Sequence, residues 1–170
     1  FQINHRLSNE KRGFGEKRIY IQSHDVNSQE GKHALTKFSL LYRNDSYSIG
    51  LAFPTTGRQH QIRVHAQSAG IPLVGDKLYL GGYPLFQRFK ENQANEEDYQ
   101  QMQIPRHALH AVAINLPDPS SDRERTTFIA PIPEDLRQFI KQTIQTDLDE
   151  IQRKIDLEIR SYFGSIKPTR

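Results

Sequence analysis

Thr55-Thr56-Gly57-Arg58-Gln59-His60-Gln61-Ile62-Arg63-Val64-His65, running on to Gly75-Asp76-Lys77-Leu78-Tyr79, concentrates the polar chemistry of this chain. After Gly57 the apolar residues Ile62, Ala66 and Ala69 recur at helical spacing. A short helix is expected, with Thr55 or Thr56 as its N-cap and Gly70 as its stop. Pro72 keeps the helix from resuming. Residues three or four apart share a helix flank, so Gln59, Arg63 and Gln67 stand beside the apolar stripe. A sheltered arginine there needs an acceptor, because it stays charged and its planar fork suits a carboxylate or a phosphate. The competing reading makes Arg58 and Arg63 ordinary solvated charges.

Upstream, His33 to Phe38 and Leu40 to Tyr42 read as a strand, Asn44-Asp45 as a turn and Tyr47 to Phe53 as a second strand. The resulting antiparallel hairpin delivers the chain to Gly57. Ile19-Tyr20-Ile21 is a further short strand candidate. Downstream, His107 to Leu116 has apolar residues on both sides, which predicts a central strand. The polar segment from Gln87 to Gln103 reads as an inserted, mobile surface helix, whose glutamates set it against close phosphate contact. From Pro133, residues Leu136, Ile140, Ile144, Leu148, Ile151, Ile155 and Ile159 predict one long amphipathic helix over 133–163, closed by Gly164. Its distal half is expected to pack on N-terminal structure absent from this chain, or on another chain. Strands feeding a helix and then more strands indicate an α+β domain with a mixed or antiparallel sheet and flanking helices.

At 170 residues the chain suits one domain with a sizeable core. A net charge of +3 permits a polyanionic partner without demanding one. Lys11, Arg12, Lys17 and Arg18 form a basic loop that reads either as solvated surface or as a contact for RNA phosphates. Zero cysteines exclude disulfides and thiolate metal sites and fit a reducing, cytoplasmic interior. No stretch is long and apolar enough to span a membrane. His60, His65, His107 and His110 raise a zinc hypothesis, but no ligand spacing is met, and buried, hydrogen-bonded histidines are the better reading. No metal is expected.

Thr56 to His65 resembles the TGRTHQIRVH signature of the RluA-type RNA pseudouridine synthases, and Gly70 to Tyr79 resembles the GxPIxGDxxYG segment that follows it. Arg106 to Ala111 is similar to the family's RxxLHA motif, Phe128 to Leu136 to its closing aplPxDl segment, and Gly31 to Thr36 to its GKxAxT strand. The match runs in family order from about Ile3 to Ile140. It implies isomerisation of uridine to pseudouridine in structured rRNA or tRNA, without a cofactor. Arg63 matches the arginine that pairs with the family's nucleophilic aspartate, and Leu109 the apolar residue lining the uracil pocket. Arg58, His60 and Gln61 are signature positions assigned to the substrate pocket.

The resemblance departs at one place. The HRLDxxTSG motif that carries the nucleophile, and the KxYxA motif after it, are not in this chain. His5-Arg6-Leu7-Ser8 has serine where the aspartate belongs and lies too close to Gly31-Lys32 to serve. The chain therefore reads as the C-terminal part of a synthase catalytic domain, 1–140, followed by the long helix, and as inactive alone. The alternatives are a non-catalytic RNA-binding module of the same fold and, more distantly, a metal-dependent hydrolase.

Overall fold

A computed structural model describes residues 1–9, 20–118 and 125–164. Lys11, Arg12, Lys17, Arg18 and Ile19 lie outside the described residues. The chain divides into two units, Phe1–Ser39 with Ala52–Ala108, and Leu40–Leu51 with Leu109–Arg170.

The first unit is built on β1 (Gln2–Asn9), β2 (Ile21–His24), the near part of β3 (Lys32–Arg43) and the end of β4 (Ser48–Pro54), in the sheet order β2-β1-β3-β4. β1 is antiparallel to both neighbours, with Leu7 opposite Ser23 on one side and Ile3 opposite Thr36 on the other. Period-2 alternation decides its faces. Ile3, Leu7, Ile21, Ala34 and Thr36 are buried on one side, whereas Asn4, His33 and Lys37 on the other are exposed. Helix α1 (Gln61–Ser68) packs against β1 and β2. Leu7, Ile21, Ala34, Val64, Leu78 and Tyr79 form the core there, with Tyr20, Tyr83 and Phe86 against it.

The hairpin turn follows expectation: Asn44 Oδ1 accepts the N–H groups of Ser46 and Tyr47 at 2.9 and 2.7 Å. The N-cap does not. α1 begins only at Gln61, after His60 in a left-handed conformation (φ 55°), without a side-chain cap. Thr56 is occupied elsewhere: its hydroxyl accepts Leu35 N–H and donates to Gln61 Oε1. The buried residues of α1 are Gln61, Val64, His65 and Ala66, while Ala69 is exposed. Gly70 does end the helix, at φ 75°, with Gly70 N–H to Gln67 O and Ile71 N–H to Ala66 O satisfying the last carbonyls.

The Gln87–Gln103 segment is two helices rather than one mobile helix, α2 (Gly82–Lys90) and α3 (Glu96–Met102). Leu85 and Met102 are buried, and Asn95 and Asp98 close a capping box on α3. The hydrophobic anchors and the cap explain why so polar a stretch folds.

In the second unit β5 (Ala113–Pro117) pairs antiparallel with β6 (Arg125–Ile129) as a separate two-stranded sheet. The strand expected over His107–Leu116 is thus shorter, and it is not central, since Ile114 and Leu116 are exposed. The helix expected over 133–163 is broken. α4 (Glu134–Phe139) runs into a π turn at Ile140–Ile144, Gln145 turns left-handed at φ 58°, and α5 (Leu148–Phe163) restarts with Asp147 as N-cap. Spacings of three and four persist across such a break, and the N-cap aspartate was the missed signal. Ile151, Ile155 and Ile159 are buried within the chain itself, so they do not call for an outside partner. Lys154 Nζ donates to Leu41 O, joining α5 to β3 within this unit.

Candidate active-site constellation

Gly75 positions the site. Its φ is +73°, and a Cβ built there would lie 2.1 Å from Arg106 O, so only glycine fits the close crossing of these backbones. Asp76 follows immediately and is fully buried. Its Oδ1 accepts the N–H groups of Leu78 (3.1 Å) and Tyr79 (3.0 Å), which fixes the carboxylate plane. Arg63, in the first turn of α1, reaches that plane with both arms: Nε to Oδ2 and Nη2 to Oδ1, each at 2.7 Å. The Arg63 side chain is 16% exposed and that of Asp76 0%. The Arg63 guanidinium also lies over the Tyr79 ring, 4.8 Å from its centroid.

This corrects the expectation for Arg63. The chain supplies a carboxylate partner for it, Asp76, so the arginine is not waiting wholly on an absent aspartate. Its Nη1 nonetheless has no hydrogen-bond partner among the described residues.

Tyr79 extends the constellation. Its hydroxyl oxygen accepts Ile21 N–H at 3.1 Å and lies 2.9 Å from His60 Nδ1. Burial pushes the Tyr79 phenol up to about 12, so it remains protonated. A single hydrogen bond joins the hydroxyl to His60 Nδ1. Burial, reinforced by the Arg63 charge, lowers the His60 pKa, and the same two causes lower that of His107. Burial would raise the Asp76 carboxyl; the Arg63 hydrogen bonds and the Tyr79 and Leu78 N–H groups outweigh it and hold the group below its ordinary value. At neutral pH the constellation is one ion pair bordered by neutral imidazoles and a neutral phenol.

The other expected pocket residues separate. Gln61 is buried and fully used: Oε1 accepts Thr56 Oγ1 and Arg58 N–H, while Nε2 donates to Leu35 O and Thr36 Oγ1. It clamps the start of α1 to β3 and has no hydrogen-bonding capacity left for substrate. Arg58 is exposed and donates through Nε to His33 O. Leu109 is partly buried and belongs to the second unit. His65 is fully buried, with Nδ1 2.9 Å from Thr36 Oγ1 and its ring edge-on to His5. Among the described residues no group of three or more His, Cys, Asp or Glu side chains could hold a metal ion. Asp76 and Tyr79 were quoted in the sequence without a role. An aspartate two and three residues before the N–H groups it accepts is the turn signal that could have found the first.

No family model matches the chain. A search of curated proteins finds an uncharacterized RNA pseudouridine synthase of Chlorobaculum parvum, 33% identical over 117 residues, covering 69% of this chain and 35% of that protein. The ribosomal large subunit pseudouridine synthase D of Pasteurella multocida is 35% identical over 140 residues, covering 78% of this chain and 40% of the relative. The chain is homologous to the RluA-type RNA pseudouridine synthases. It spans well under half the length of these curated relatives. Among solved structures, human RNA pseudouridylate synthase domain containing 1 matches with a TM-score of 0.55 at 22% identity, covering 99% of this chain and 61% of that one. That likeness shows the pseudouridine synthase fold. No described helix is long and apolar enough to cross a membrane.

Proposed function

We propose that this chain forms the Arg63-bearing part of a domain that isomerises uridine to pseudouridine in rRNA or tRNA, in the cytoplasm and without a cofactor. The observation that supports it most is the Arg63 guanidinium, aligned by Asp76 and Tyr79 yet with Nη1 uncommitted among the described residues. In the reaction the bond from a uracil nitrogen to the sugar breaks, the base turns, and a ring carbon bonds the same sugar carbon; the hydrogen on that carbon leaves as a proton and the freed nitrogen takes one up. Nothing is oxidised or reduced. A second carboxylate meeting the uncommitted edge of Arg63 would be held ionised and oriented by a charge-assisted hydrogen bond. The target uridine must first leave its stack, which costs a few kcal/mol that phosphate and base contacts must offset. In this reading Arg58 and His60 shape the rim of the uracil pocket, Leu109 keeps the apolar role that the motif resemblance implies, and Lys11, Arg12, Lys17 and Arg18 meet RNA phosphates. Gln61 supports the pocket wall from behind.

Tritium release from uridine-labelled bulk RNA tests the proposal. Residues 1–170 are expected to release none, because they contain no HRLDxxTSG motif. The same residues joined to a segment bearing that motif are expected to be active, and Arg63→Ala is expected to abolish that activity. Turnover by residues 1–170 alone, or full activity after Arg63→Ala, would overturn it.

A second reading, a non-catalytic RNA-binding module, draws on the same missing motif. Codons for an HRLD-type motif upstream of Phe1 would remove it; a natural start near Phe1 would favour it.

A further inference from the structure

The core of the first unit uses only one face of the β1-β2-β3 ribbon. The register fixes what the other face carries. Arg6 stands opposite His24 on β2 and His33 on β3, and Asn4 and Lys37 continue the same side. No aspartate or glutamate occurs anywhere in β1, β2, β3 or β4, although the chain contains 20 acidic residues. The only carboxylate placed near this face by an ion-pair contact among the described residues is Glu30, at one corner, 3.9 Å from His24 Nε2.

The cations on this face are held in place rather than loose. Arg6 donates through Nε and Nη2 to Glu30 O and Gly31 O, and Arg58 donates through Nε to His33 O. Both guanidinium groups are anchored by part of their donor set, and their remaining N–H groups have no hydrogen-bond partner among the described residues. His33 Nε2 is tied to Asn4 Oδ1 and His24 Nε2 to Ser8 Oγ. Lys37 is exposed and forms no ion pair among the described residues. An acid-free sheet face with anchored arginines, a free lysine and polar amides suits a polyanionic backbone, to which such groups supply charge and directed hydrogen bonds. It suits an apolar partner poorly.

We infer that the outward face of β1-β2-β3, centred on Arg6, His33 and Lys37 with Arg58 beside them, is a docking surface for the sugar-phosphate backbone of RNA. This rests on the reading of the chain as an RNA-modifying domain and extends it, since the face lies outside the Arg63–Asp76 constellation.

Fluorescence anisotropy of the 170-residue chain with a fluorescein-labelled, uridine-containing RNA stem-loop, titrated at several salt concentrations, tests it. Two charge-introducing variants on cross-strand neighbours, Lys37→Glu and Gln2→Glu, are compared with Lys90→Glu on the exposed end of α2. Thermal melting checks that each variant folds. The expected result is about tenfold weaker binding for each face variant and, for Lys37→Glu, a salt slope lower by about one. Lys90→Glu should bind as the parent does. Face variants that melt and bind like the parent would overturn the inference, as would an equal loss in Lys90→Glu or no RNA binding by the parent at low salt. The isomerase reading is judged separately: RNA bound through this face by a nucleophile-bearing polypeptide that forms no pseudouridine would remove that reading and leave the docking surface standing.

Discussion

Among its described residues the first unit contains two arginine–aspartate pairs of nearly the same geometry, and the difference between them separates a scaffold clamp from a candidate site. Arg63 meets Asp76 through Nε and Nη2, and Arg88 meets Asp98 through the same two atoms. Both aspartates also accept backbone N–H groups, Asp76 from Leu78 and Tyr79, Asp98 from Asn95. Their surroundings diverge. The Arg63 side chain is 16% exposed, that of Arg88 41%. Arg63 lies over an aromatic ring whose hydroxyl continues to a histidine, whereas the Arg88 pair ties α2 to the cap of α3. A bidentate fork is therefore not itself a mark of function. What distinguishes Arg63 is that several elements fix it together: a glycine crossing, a buried carboxylate and a stacked phenol.

The glycine crossing is the most sensitive point. Gly75→Ala should push a methyl group into Arg106 O while forcing a side chain into a left-handed backbone, and a loss of about 4 kcal/mol is expected. Denaturant unfolding measures it. A variant as stable as the parent would mean that the crossing relaxes easily and that Asp76 is not fixed by it. Next in size is the direct contrast. Asp76→Ala strands a mostly buried guanidinium and two buried N–H groups, so about 3 kcal/mol should be lost. Asp98→Ala removes a cap and a more exposed pair, and its melting temperature should fall distinctly less. Equal losses would erase the distinction between the pairs.

These features were unequally legible in the chain. Stops and turns that depend on one residue and its immediate neighbours, the Gly70 terminus and the Asn44 turn, could be read directly. The signature was legible as a motif, but the partner of Arg63 was not. Asp76 lies 13 positions further on, and the two meet only because the helix stops at Gly70 and the chain turns tightly at Gly75. Gln61 looked like a pocket residue because polar side chains in a signature invite that reading; only the fold reveals that its amide is consumed in holding β3. The break at Gln145 stayed hidden for a different reason. Apolar spacing reports which side faces the core, and Ile140, Ile144 and Ile151 keep that side buried across the break.

The smallest expected effect places the two sides of α1 in different pH windows. Arg63 faces Asp76, whose depressed pKa means that its contribution to stability is complete at neutral pH and is lost only as pH falls below the ordinary carboxylate range. His65, on the same helix, is buried, with Nε2 lacking a hydrogen-bond partner among the described residues. Burial, aided by His5, lowers its pKa from 6.5 to about 4. The unfolded chain binds that proton more readily, so stability should fall as pH drops from 6.5 toward about 4 and change no further on account of His65 below that. His65→Gln, which cannot take up a proton, should make this limb shallower, the remainder coming from His60 and His107, whose pKa values burial also lowers, while leaving the more acidic limb assigned to Asp76. Urea titrations at intervals from pH 7 to pH 3 resolve the two, and a parent curve flat down to pH 4 would show that His65 charges as easily in the folded protein as outside it.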